Sequence, residues 1–243
     1  MHLSVLMPVY NECATLEEIL QRVQAVPLEK EIIVVDNCST DGSRELMTQW
    51  IDSGKAGQAG SQASVKIIFQ DQNRGKGSSV RRALDEASGD WVIIQDADLE
   101  YDPQDFLKLL EKANEGHLDA VFGTRLLPGT DARKGMPKST FYFGRLGLAW
   151  LFKVLFHTTI SDVATCYKLM RRSVAKQLQL ESNGFDLDFE IAAKLAKESN
   201  AGKWKLGEVP VSYKPRTELE GKKIHAVRDG WRAVRALLKY RIS

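Results

Sequence analysis

Five short apolar runs punctuate the first half of the chain, and each is apolar at consecutive rather than alternate positions. They are Leu3–Val9 and residues 31–36 (EIIVVD), 65–70 (VKIIFQ), 91–95 (WVIIQ) and 119–125 (DAVFGTR). A strand with one wet face alternates polar and apolar side chains, whereas a run without polar gaps is covered on both faces. Between the runs lie segments with helical spacing. Leu16, Ile19, Leu20 and Val23 share one side of residues 15–26, and residues 43–51 look helical. Residues 73–89 read as a glycine turn and a helix stopped at Gly89. Phe106, Leu107, Leu109 and Leu110 mark a helix over 103–116. Strands alternating with helices predict an α/β fold with a mainly parallel central sheet flanked by helices. A chain of 243 residues without internal repeats suffices for one such domain.

Past residue 125 the rhythm changes. A loop is expected over 127–139, an apolar helix over 141–156, then a mixed region and a helix over 187–199. A strand of alternating type over 207–216 and a helix over 226–240 follow. Residues 52–64, rich in Gly, Ala, Ser and Gln, read as a loop. The formal charge of +2 hides an asymmetry: from Lys203 onward Lys and Arg outnumber Asp and Glu 11 to 4, while across residues 1–202 the acidic residues lead 28 to 23. A basic end favours an anionic partner, phosphate or a lipid surface. Three cysteines without a CxxC pair fit a reducing compartment and no thiolate metal site. The start MHLSVLMPVYNE reads as a strand rather than a signal peptide. No stretch reaches the roughly 18 apolar residues of a membrane span.

Four polar clusters sit at successive strand ends, where open α/β sheets bind ligands. They are Pro8–Glu12, Asp36–Asp41, Asn73–Gly77 and Asp96–Asp102. One carboxylate after a strand is an ordinary helix cap; four clusters in register are not explained by capping. In QDADLEYDP, Asp96, Asp98, Glu100 and Asp102 stand at every second position, so a positive charge belongs among them. All-oxygen ligands favour Mg²⁺ or Mn²⁺, and without an HExxH motif or a His pair zinc is not expected. Asp98 and Glu100 are read as metal ligands, Asp96 as outer shell or ribose contact, and Asp102 as the cap of the next helix. The glycines around Lys76 in NRGKG permit close approach of a ligand, although neither GxxxxGK[ST] nor GxGxxG is present.

Together these segments resemble glycosyltransferase family 2, from about Leu3 to Leu237, which implies the Rossmann-like GT-A fold. MPVYNE resembles the motif that holds the base of a sugar nucleotide, placing Pro8, Tyr10 and Glu12 there. VVDNCSTDGS is similar to VVDDxSxDGT, with Asp36 facing base or ribose and Asn37 replacing an aspartate. NRGKGSSVRRAL resembles NxGKGxAxRxG, which brings in Lys76. QDADLEYDP resembles the metal-binding DxD stretch, and FGTR a segment that sets Arg125 near a phosphate. SDVATCYKLMRR, GFDLDFEIAAKL and EVPVSYKPRTELEGKKI look like polyprenyl-phosphate hexosyltransferases of the dolichol-phosphate mannose synthase type. The last motif implies that Arg216 with Lys222 or Lys223 closes over the diphosphate or the acceptor phosphate.

The resemblance implies an inverting transfer of a hexose from GDP-mannose or a UDP-hexose to a dolichyl or undecaprenyl phosphate. Residues 1–125 would serve the donor and residues 126–243 the acceptor. A phosphate acceptor is already anionic and needs no base. A hydroxyl acceptor, the first alternative, needs one, and Asp186, Asp188 and Glu190 are the candidates unless they only favour the start of a helix. A nucleotidyltransferase fits less well, because PVYNECATL is not a basic glycine-rich loop. A non-catalytic nucleotide-sugar-binding partner of a membrane protein is the alternative from another class. Peripheral contact with the cytoplasmic face of a membrane is expected, with a membrane subunit on a separate chain conceivable and no nucleic-acid partner. Two helices carry that expectation. Arg145 and Lys153 lie roughly 80° apart on an otherwise apolar segment. In the last helix Val227, Trp231, Val234 and Leu238 form a stripe expected to pack on the domain, while Arg228, Arg232, Arg235 and Lys239 form a basic one.

Overall fold

Seven strands form one sheet in the order β3-β2-β1-β4-β6-β5-β7. The computed structural model describes residues 2–54, 63–126, 140–216 and 226–242. The five anticipated strands are β1 (Leu3–Val9), β2 (Lys30–Asp36), β3 (Ala63–Phe69), β4 (Trp91–Ile94) and β5 (Ala120–Thr124). The helices α1 (Cys13–Gln24), α2 (Ser43–Asp52), α3 (Lys76–Glu86) and α4 (Asp105–Glu115) alternate with them. Pairings β1–β2, β2–β3 and β1–β4 are parallel, as right-handed strand–helix–strand units require. Ile32, Ile33, Val34 and Val35 are all fully buried, the outcome that an unbroken apolar run demands.

The back half adds α5 (Thr140–Phe156), β6 (Lys168–Arg171), α6 (Arg172–Gln177), α7 (Leu187–Asn200), β7 (Leu206–Pro210) and α8 (Ala226–Ile242). Strand β6 falls in the region read only as mixed. It inserts antiparallel between β4 and β5, which are therefore not paired with each other. Four residues that begin with Lys168 and end with Arg171 are too short and too charged to announce a strand. β7 is shorter than expected; it pairs parallel to β5, and the chain leaves the sheet after Pro210.

Helix α8 is turned differently from its sequence reading. Ala233, Ala236, Leu237 and Tyr240 are buried, whereas Trp231 is 72% and Leu238 45% exposed. The buried face meets α5 and α7, against which α8 packs; Val227 and Arg228 lie outside the described side chains. On α5, Ala149, Phe152 and Phe156 are buried, while Leu146, Trp150 and Val154 point outward. Among the described residues no helix is long and apolar enough to cross a membrane. The loops expected over 127–139 and most of 52–64 lie outside the described residues, as do Lys222 and Lys223.

Candidate active site

The ends of β1, β2 and β4, the start of α3 and the segment after β7 enclose a cavity of about 410 Å³. Pro8, Tyr10, Glu12, Asn37, Lys76, Asp96, Asp98, Glu100, Arg125 and Arg216 all line it. Strand-end loops anticipated from four separate stretches therefore converge, as the geometry of a parallel sheet dictates. At one end Asn37 is fixed by both amide atoms: Nδ2 donates to Asn73 Oδ1 at 2.8 Å, and Oδ1 accepts from Arg74 N at 2.9 Å. Asn73 also accepts from Gly75 N at 3.0 Å, so the two amides brace the turn before α3.

At the carboxylate end, Arg216 is the principal cation. Its guanidinium donates to Glu12 at 2.8 and 3.1 Å and to Asp98 at 3.3 Å, while its backbone N–H donates to Glu100 at 3.0 Å. Glu100 also accepts from the Tyr213 hydroxyl at 2.8 Å. Arg216 Nε is buried with no hydrogen-bond partner among the described residues. Burial, with Asp96 and Glu100 adding repulsion that Arg216 only partly offsets, pushes the Asp98 carboxyl up to about 7. The cluster thus holds more negative charge than its one arginine balances, and its donors are hard oxygens, so it fits a divalent cation in chemistry. Among the described residues no three His, Cys, Asp or Glu side chains are arranged to hold a metal by themselves. Asp98 with Asp96 or Glu100 would supply part of a coordination shell and leave positions for a ligand's oxygens.

A second polar chain runs beneath the cavity. Lys76 Nζ lies 2.9 Å from Asp96 and 3.2 Å from Asp188, whose other oxygen is 3.0 Å from Lys168 Nζ. Burial opposes the charge on Lys76, yet Asp188 and Asp96 hold its ammonium well above the ordinary lysine range. Burial likewise opposes ionisation of Asp188, but Lys168 and Lys76 outweigh it and keep its carboxyl below the usual value. Arg125 makes a two-pronged pair with Asp162 at 2.7 and 2.8 Å and stacks 4.8 Å from the Tyr213 ring. Its charge also survives burial, because Asp162 raises its pKa further. Lys168, Asp162 and Tyr213 were not singled out from sequence; only their segments were, and no spacing reveals which side chain of such a segment turns inward.

Some anticipated residues stand elsewhere. Asp36 is fully buried and does not line the cavity; it accepts from Ser39 N at 3.1 Å and faces Arg44 at 3.7 Å, so it holds the turn after β2. Glu190, a candidate base, lines neither this cavity nor the groove between α5, α7 and α8: its carboxylate accepts from the backbone N–H groups of Glu181 and Ser182 at 2.8 Å and from Lys194 at 2.7 Å. Asp102 accepts from Gln104 N at 3.0 Å, within the turn that opens α4. The glycines of NRGKG give room to protein, and Gly75 lines the cavity as well. A Cβ on Gly75 or Gly77 would lie 2.2 Å from Asn183 O or 2.0 Å from Ser182 O. Gly77 N donates to Asn183 O at 2.7 Å, which joins the two halves of the molecule backbone to backbone.

Beyond this cavity opens a larger groove of about 1120 Å³ between α5, α7 and α8. Leu148, Leu151, Phe185, Phe189, Ala233 and Ala236 give it apolar walls, and Arg232, Arg235 and Lys239 give it a basic margin. Gly75, Arg125, Ala164, Phe185, Asp188 and Tyr213 line both spaces, so the two adjoin.

Comparison with known proteins places this geometry in context. Residues 4–179 match the model of the family described as Glycosyl transferase family 2. A dolichol-phosphate mannosyltransferase of Pyrococcus furiosus is 32% identical over 231 residues, covering 91% of this chain and 59% of that protein. The chain thus spans about three fifths of that relative's length. A dolichol-phosphate mannosyltransferase of Saccharomyces cerevisiae is 27% identical, covering 90% of this chain and 80% of the relative. Among solved structures, glucosyl-3-phosphoglycerate synthase of Mycobacterium tuberculosis, in complex with Mn²⁺, UDP and phosphoglyceric acid, superposes with a TM-score of 0.66 at 18% identity. That match covers 99% of this chain and 78% of that one, and the shared architecture is the GT-A fold.

Proposed function

We propose that this chain, which belongs to glycosyl transferase family 2, transfers a hexose from a nucleotide sugar to a polyprenyl phosphate at a membrane face. The observation that carries the reading is the adjacency of the two spaces: a polar strand-end cavity and an apolar groove with a basic margin share six lining residues. A nucleoside diphosphate sugar suits the first, and a long hydrocarbon with an anionic head suits the second.

In this reading residues up to about 125 serve the donor and later residues the acceptor. Pro8, Tyr10 and Asn37 face the nucleoside, while Lys76, Arg125 and Arg216 face phosphate oxygens. Asp98, with Asp96 or Glu100, would hold Mg²⁺ or Mn²⁺, and such an ion supplies Lewis-acid stabilisation of the leaving diphosphate. An acceptor phosphate oxygen attacks the anomeric carbon; the bond from that carbon to the diphosphate oxygen breaks, and its electron pair leaves on the nucleoside diphosphate. No proton moves, so no base is required. This agrees with the state of two of the three candidate bases. Asp188 is clamped between two lysines and Glu190 is spent on backbone N–H groups, which leaves neither placed to deprotonate a hydroxyl. Fixed cations stabilise the charge that develops on the leaving group.

Membrane contact belongs to the same reading. Leu146, Trp150 and Val154 on α5 and Trp231, Leu238 and Ile242 on α8 are exposed apolar side chains beside the groove's basic margin. The test is transfer with GDP-mannose or UDP-glucose as donor, dolichyl or undecaprenyl phosphate as acceptor, and Mn²⁺. Sugar extracted into the organic phase, lost in EDTA and restored by Mn²⁺, is expected. Transfer only to water-soluble hydroxyl acceptors would overturn the acceptor, and no turnover of any donor would overturn the enzyme reading.

A further inference from the structure

Lys168 is a lysine where the fold calls for none. It lies in β6, in register with Phe122 of β5, and its side chain is wholly buried. The strands on either side bury Val92, Ile93, Ile94, Val121 and Phe122. An aliphatic side chain would fill that place without the cost of taking an ammonium out of water, which is several kcal/mol before pairing. Nor does Lys168 touch either cavity. Its hydrogen bonds go to the Thr165 carbonyl and to Asp188.

The chain of charges continues from there, plus and minus in turn. Asp188 turns its second oxygen to Lys76, and Lys76 reaches on to Asp96 at the end of β4. Asp188 lines both cavities and Lys76 the polar one, so the Lys76 ammonium sits by the wall that the two spaces share. The nucleoside end of the polar cavity, at Pro8 and Asn37, lies among residues that the groove does not share. In the donor reading a nucleoside diphosphate runs from Pro8 and Asn37 toward the groove, and its outer phosphate is the one that lies by this wall, at Lys76. We propose that Lys168 is a positioning residue: through Asp188 it fixes the Lys76 ammonium against the outer phosphate of the nucleoside diphosphate. This rests on the donor reading above and adds the internal support that makes one of its cations rigid. Without Lys168, Asp188 keeps a single cationic partner, and Lys76 is no longer held between two carboxylates of fixed place.

Calorimetric titration separates this role from simple support of the fold. GDP, GMP, UDP and UMP, each with Mn²⁺, are titrated into the wild type, Lys168→Met, Lys76→Met and the double variant. For the base that binds, Lys168→Met is expected to weaken the diphosphate about tenfold or more, the scale of one lost charge-assisted hydrogen bond. The monophosphate stays within about twofold. Lys76→Met gives the same selective loss, and the double variant is no weaker than Lys76→Met, because Lys168 acts only through Lys76. Equal weakening of mono- and diphosphate, or losses that multiply in the double variant, overturns the proposal. If Lys168→Met does not fold, Asp188→Asn cuts the same chain and must show the same selective pattern. A wild type that binds none of the four nucleotides refutes the donor reading itself, an outcome distinct from a wrong pattern among variants.

Discussion

Asp98 shows how much of this site is set by charge rather than by shape. Burial, and then two neighbouring carboxylates, push its pKa up to about 7, and Arg216 relieves only part of the repulsion. A metal ion binds the ionised form, so a proton and the metal compete for the same oxygens. Above pH 7 the carboxylate is free of its proton and Mn²⁺ affinity should be flat. As pH falls below about 7, affinity should drop by up to roughly tenfold per unit, the cost of displacing one proton. Calorimetry at pH 8.0, 6.5 and 5.5 checks this, and a pH-independent affinity would remove Asp98 from the metal shell. The sequence placed Asp98 among four like charges. It did not show that Glu100 would be held by Tyr213 and the Arg216 backbone, because those partners lie more than a hundred residues away. Asp36 carries the opposite lesson: a carboxylate at a strand end in the right motif turns inward to tie its own turn.

Among the elements, α3 and α8 are the ones whose sequence signals pointed correctly to a helix and incorrectly to its surroundings. The glycines before and within α3 were read as room for a ligand, yet the backbone of residues 182–184 takes that room. Gly77→Ala would drive a methyl group to 2.0 Å from Ser182 O. Overpacking of this kind costs about 1–3 kcal/mol, which urea denaturation reads as a lowered midpoint with unchanged slope. In α8 the apolar stripe through Trp231 and Leu238 faces outward, because the face of Ala233, Ala236, Leu237 and Tyr240 meets α5 and α7 instead. Periodicity reports that a helix has faces; it does not say which face meets the protein when two are apolar. The double substitution Trp150→Ser/Trp231→Ser should leave thermal stability nearly unchanged, since both rings are more than half exposed. It should reduce flotation with vesicles of anionic lipid severalfold, each lost indole removing buried apolar area at the interface. Flotation equal to the wild type would sink the membrane-facing assignment of these helices.

For the molecule as a whole, the site exists because two halves with different histories in the sequence close on each other. Arg216 meets Glu12 across 204 residues, and Lys76 meets Asp188 across 112. A ligand that spans both halves stabilises the folded state by linkage: GDP or UDP with Mn²⁺ at 100 times its Kd should add about 2.7 kcal/mol. A thermal-shift screen of both nucleotides identifies the base by which one raises the melting temperature, and a shift with neither would contradict the donor cavity. The sequence by itself determined the α/β class, the parallel strands of the front half and most of the strand-end residues that gather in one place, because apolar runs alternating with helical segments favour a parallel sheet, whose strand-end loops then converge. Only the tertiary structure decided that β6 slips between β4 and β5, that a buried lysine on it reaches Asp188, and that the groove adjoins the polar cavity. Those facts depend on contacts between residues far apart in the chain, and local periodicity carries no information about which distant surface a side chain will meet.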